Sequence, residues 1–113
     1  MIVERVPLIA LDLREIVGEC RPGAAVHVLH DLRQMEELLQ AIGRADLGFI
    51  GVAAEAREGL FAHPMLQERL GRVVITDRVA IPAEPPAHWF VEPRPVVPAA
   101  VRRHVLSIEA PVS

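Results

Sequence analysis

Short apolar runs alternate along this chain with longer stretches in which apolar residues return at helical spacing. Ile2-Val3 begins a short strand, and Pro7 suits the first turn of a helix, where its missing N–H is not needed. Ile9, Leu13, Ile16, Val17 and Cys20 then recur on one helical face, with Asp12, Glu15 and Glu19 on others. Pro22-Gly23 breaks this helix, and Ala24 to Leu29 reads as a second strand. Asp31 with Gln34 resembles a capping box opening a second helix, whose buried stripe is Leu32, Met35, Leu39 and Ile42. Gly43 stands where a left-handed helix C-cap is expected.

The run Leu47-Gly48-Phe49-Ile50-Gly51-Val52 reads as a buried third strand. The segment Ala53 to Ala62 has no clear signal, but Pro64 can begin a short helix that turns Met65, Leu66 and Leu70 to the sheet and ends at Gly71. Val73-Val74-Ile75-Thr76 is the fourth strand. From Asp77 to Ala87, Pro82, Pro85 and Pro86 deny backbone donors and disfavour helical geometry in their predecessors, which predicts a loop with at most one helical turn. His88-Trp89-Phe90-Val91 is the fifth strand, and Pro98 opens a last helix with Val97, Val101, Val105 and Ile108 on one face. Strands alternating with helices imply parallel pairing and right-handed crossovers. The expected fold is a three-layer α/β sandwich with a five-stranded parallel sheet of flavodoxin-like order 2-1-3-4-5, its fourth helix reduced or replaced by the Pro-rich loop. Residues 1–108 form a single domain in this reading, and 109–113 a loose tail.

Composition narrows the chemistry. A chain of 113 residues, 51% hydrophobic, fits one compact domain. A formal net charge of -3 gives no electrostatic footprint for nucleic acid. No apolar stretch is long enough for a bilayer and no secretory signal opens the chain, so a cytoplasmic, non-membrane protein is expected. All 12 basic residues are arginine, which removes every lysine-dependent phosphate site or Schiff base. The lone Cys20 excludes disulfides within the chain and reads as an inert, partly buried thiol. His27, His30, His63, His88 and His104 fall on different elements without metal-ligand spacing, so neither a metal nor a cofactor is expected.

What remains is a set of strand ends: Glu4-Arg5, Gly51, Thr76-Asp77 and Glu92-Pro93. In open α/β sheets these ends converge on one crevice. No glycine-rich phosphate loop follows the first strand, where Glu4-Arg5-Val6-Pro7 stands instead. The stretch from Ile2 to Leu13, the run Asp46 to Val52, the segment Val73-Val74-Ile75-Thr76 and the triplet Val91-Glu92-Pro93 together resemble the receiver domains of two-component response regulators, over nearly the whole chain.

The resemblance implies a site with an aspartate phosphoryl acceptor, an acidic pair for magnesium, a hydroxyl and a lysine. Carried over residue by residue, it leaves Gly51 without an acceptor, Glu4 acidic beside a basic Arg5, Thr76 retained and Glu92 reversed in charge. This reads as a degenerate receiver, a pseudo-receiver, not phosphorylated on aspartate and not an enzyme. Asp46, Glu55, Asp77 and Glu92 are poor substitutes as acceptors: Asp46 lies at the opposite edge and the others have no lysine to stabilise transferred charge. Arg5 and Glu92 either meet as a salt bridge or stay solvated.

The resemblance implies an interaction module of bacterial two-component signalling, with a histidine kinase, a phosphotransfer protein, a response regulator or a second copy as partner. The face that receivers use would correspond here to about Val79 to Ser107, including Trp89, Phe90, Val97, Val101 and Arg102, and would form a homodimer. Simple core packing of the aromatic pair and a solvated role for Arg102-Arg103 stand beside that expectation. The alternative function is a small-ligand or anion-sensing domain using the crevice near Glu4, Gly51, Thr76 and Glu92, with Arg5 as anion partner.

Overall fold

The computed structural model describes residues 1–51, 64–76, 87–92 and 96–108. The elements in chain order are β1 (Ile2–Glu4), α1 (Pro7–Cys20), β2 (Val28–Leu29), α2 (Leu32–Ile42), β3 (Gly48–Gly51), α3 (Pro64–Glu68), β4 (Val73–Ile75), β5 (Trp89–Val91) and α4 (Pro98–Ser107). All four strand pairings are parallel, in the order β2-β1-β3-β4-β5. The α/β class and strand order match the sequence reading. The Pro-rich stretch expected to replace a helix, the tail, His63, Glu55 and Asp77 lie outside the described residues.

Successive strand residues point to opposite faces, and each face has its own core. Val3, Ile50, Val73, Ile75 and Trp89 pack with Met35, Leu39 and Leu66. Ile2, Phe49 and Val74 pack with Ala10, Leu13, Val101 and Val105, where α1 and α4 lie side by side. Burial on both faces explains why these strands read as continuous apolar runs rather than alternating ones. Each large side chain removed from water in this way contributes about 1.5–3 kcal/mol.

Local signals act largely as predicted. Pro7 and Pro98 each occupy the first turn of a helix. Asp31 accepts from the Gln34 N–H at 2.8 Å, while the Gln34 side chain accepts from His30 N, one residue before the cap. Gly43 has the expected positive φ of 89°, but its ψ of -54° departs from the left-handed helical region. Its N–H bonds Leu39 O at 2.9 Å, closing α2 with one more helical bond.

Several boundaries differ from expectation. β2 is only two residues rather than Ala24 to Leu29. Ala24 is instead turned back by its N–H bond to Arg21 O, and ladder-like bonding begins where His27 O accepts from Ile2 N. Ile42, expected in the buried stripe of α2, is the last residue of that helix and is 44% exposed. β4 and β5 are each one residue shorter than predicted, although Thr76 N and Glu92 N still bond Ile50 O and Ile75 O at 2.9 Å. Gly71 passes so close to β3 that a Cβ there would lie 2.9 Å from Asp46 O, beside the parallel bridge between Ala45 and Leu70.

Candidate functional site

β1, β3, β4 and β5 bring the expected residues to one edge of the sheet. Glu4 is paired in register with Gly51 on the adjacent strand, and Thr76 follows the last paired residue of β4. Glu92 occupies the corresponding position after β5. Glu4 and Thr76 are each 1% exposed, Gly51 is buried, and Arg5 is exposed. The Glu4 carboxylate accepts from Val6 N at 2.9 Å, which ties it to the entry of α1. Gly51 adds backbone only.

Glu92 turns away from this row. One oxygen accepts from Arg103 at 2.6 Å and from His104 Nε2 at 2.7 Å, both on α4. The other ring nitrogen of His104 accepts from Arg72 Nε at 3.0 Å. Since an arginine Nε always carries its hydrogen, the neutral ring must hold its own on Nε2, where it donates to Glu92. Arg72 in turn lies over the Phe90 ring, 3.8 Å from its centroid, and the His104 ring is tilted against Phe90 at 5.3 Å. A continuous chain thus runs under α4 from the start of β4 to the end of β5.

The electrostatics follow from that burial. His104 is 1% exposed, and desolvation pushes its pKa below the usual histidine value. The charges of Arg72 and Arg103 act in the same direction, and Glu92 opposes them. Burial and then Arg103 hold Arg72 below the ordinary arginine value, again against Glu92. A carboxylate hydrogen-bonded to an imidazole resembles an acid–base pair, but the distal nitrogen has its lone pair occupied by Arg72. In this arrangement the pair is a clamp rather than a general base.

The proposed interface residues separate. Trp89 and Val101 are in the two cores, 6% and 0% exposed, while Phe90 is half-buried on the face opposite Trp89. Val97 and Arg102 are exposed. Cys20 is free and partly buried at the end of α1. Among the described residues no group of three or more His, Cys, Asp or Glu could hold a metal ion, and no helix is long and apolar enough to cross a membrane.

The sequence pattern singles out neither Arg72 nor His104 for a site: Arg72 carries no signal there, and His104 enters only as a histidine without metal-ligand spacing. A signal existed: His104 lies three residues after Val101 and beside Val105 in the apolar stripe of the last helix, and a polar residue there requires a buried partner. No protein-family model, curated protein or solved structure matches the chain.

Proposed function

We propose that this chain is a receiver-like interaction module, not phosphorylated on aspartate, that works through protein contacts in bacterial two-component signalling. The observation that carries the reading is the register of Glu4 against Gly51, with Thr76 beside them. Of the positions that the receiver resemblance assigns to phosphoryl chemistry, Glu4, Gly51 and Thr76 are neighbours at the carboxyl edge while the Glu92 side chain turns to α4, and the acceptor position offers only backbone. The five-stranded order and a core on each face suit the three-layer arrangement of that family. Exposed Leu8 and Leu11 on α1, and Val97 and Leu106 at α4, supply apolar contact area. The partners are a kinase, phosphotransfer protein or regulator of the same system, or a second copy.

Incubation with a small phosphodonor and magnesium, followed by intact-mass measurement, tests the first half of this reading. The expected spectrum has no adduct, and a stoichiometric acyl phosphate overturns it. Light scattering at high protein concentration tests homodimer formation, which a persistent monomer would exclude.

A second reading, small-ligand sensing, draws on a recess of about 350 Å³ lined by Thr76, Ile9, Leu13, Val96 and Pro98. Asp12, Glu15 and Glu19 also line it, so it suits a neutral or cationic ligand rather than an anion held by Arg5. Titration with tetramethylammonium, read at the Thr76 amide resonance, separates the two readings: a saturable shift favours sensing.

A further inference from the structure

The opposite, amino-terminal edge of β4 and β5 holds a recess of about 300 Å³ lined by Asp46, Gly71, Arg72, His88, Phe90 and Ser107. Arg72 is held there by two constraints. Its Nε donates to His104 at 3.0 Å, and its guanidinium carbon lies 3.8 Å from the Phe90 ring centroid. A guanidinium has five N–H donors, and among the described residues only this Nε–H finds an acceptor. No described carboxylate comes within ion-pair distance of Arg72. Glu92 is on the far side of the His104 ring and is shared with Arg103.

We propose that this recess is a binding site for a small oxyanion, a carboxylate or phosphate whose two oxygens meet the paired terminal nitrogens of Arg72. A stacked guanidinium anchored through Nε keeps its Nη1 and Nη2 groups in a plane. That fork geometry suits bidentate recognition of carboxylate or phosphate, and little side-chain entropy remains to be lost on binding. Asp46 on the rim sets the selectivity. Its charge opposes an anion, so a singly charged ligand is admitted in preference to a doubly charged one. The site is independent of the receiver-like reading, because it lies at the other end of the strands and uses none of Glu4, Gly51 or Thr76. It is nevertheless joined to the carboxyl edge through the His104 ring, whose Nδ1 accepts from Arg72 and whose Nε2 donates to Glu92.

The test is a titration of the full chain with acetate and, separately, with inorganic phosphate, against sodium chloride at constant ionic strength. The Arg72 Nε–H and His104 ring resonances report the result. The expected result is a saturable shift of both signals with one or both oxyanions, and no saturation with chloride. Asp46→Asn, a surface change, should tighten binding several-fold. Arg72→Lys, which keeps the charge and loses the fork, should weaken it about tenfold. Which anion saturates first separates a carboxylate ligand from a phosphate. Signals indifferent to both anions, an equal response to chloride, or affinities unchanged in both variants would overturn the proposal.

Discussion

The β1 and β5 ends of the carboxyl edge both finish in glutamate, yet the two carboxylates are used differently. Glu4, 1% exposed, accepts from the N–H of Val6 two residues on and secures the start of α1. The Glu92 side chain, 18% exposed, reaches α4 instead and holds it through Arg103 and His104, and through His104 it is joined to Arg72. The bond from Glu4 to Val6 stays within one turn, whereas those of Glu92 belong to a network that runs along β4 and β5 under α4. A strand-end position therefore does not decide what an acidic residue does; the groups within reach of it decide.

The largest test of that difference is His104→Ala. It leaves a cavity beside Phe49 and Phe90 and strands the Arg72 Nε–H, and the expected loss is about 3 kcal/mol, read as a lower urea midpoint. Acid should do part of this reversibly. Because the folded pKa of His104 is lowered, the unfolded chain takes up a proton near the ordinary value of 6.5 while the native ring still refuses it. The stabilisation is therefore complete above that pH and declines as pH falls through the window down to the native pKa. Urea titrations at neutral and mildly acidic pH should show the decline in the wild type and a smaller one in His104→Gln.

Smaller effects sharpen the contrast. Glu92→Gln keeps an acceptor for His104 but loses its charge, and should cost about 1 kcal/mol in the same urea assay. Glu4→Gln keeps an acceptor for Val6 N and should cost about 0.5 kcal/mol. At the end of the scale, Gly51→Asp should yield no acyl phosphate by intact mass after phosphodonor treatment, since Arg5 beside Glu4 disfavours a divalent cation and the 113 residues contain no lysine to neutralise the product.

Much of the fold was legible because its local signals are short-range. Pro7, Pro98 and Asp31 mark helix starts through bonds that span a single turn. The strands are legible because burial on both faces leaves no polar position in Phe49-Ile50 or Val73-Val74-Ile75. β2 was overextended since Ala24 and Ala25 are apolar in composition but exposed in place, where a turn and not packing governs the chain. Of the candidate site, the row Glu4, Gly51 and Thr76 was legible because parallel strands bring their carboxyl ends to one edge of the sheet. The Arg72–His104–Glu92 chain was not, because its members lie on three elements and meet only through the packing of α4 on Phe90.

Trp89 has a use that its packing alone would not suggest. It is the single tryptophan of a chain without tyrosine, 6% exposed, with its indole N–H donated to His88 at 3.1 Å. The intrinsic ultraviolet emission of the protein therefore comes from one fluorophore seated in the edge strand β5. Its colour and intensity report on that strand directly, so docking or unfolding there can be followed optically without attaching a dye.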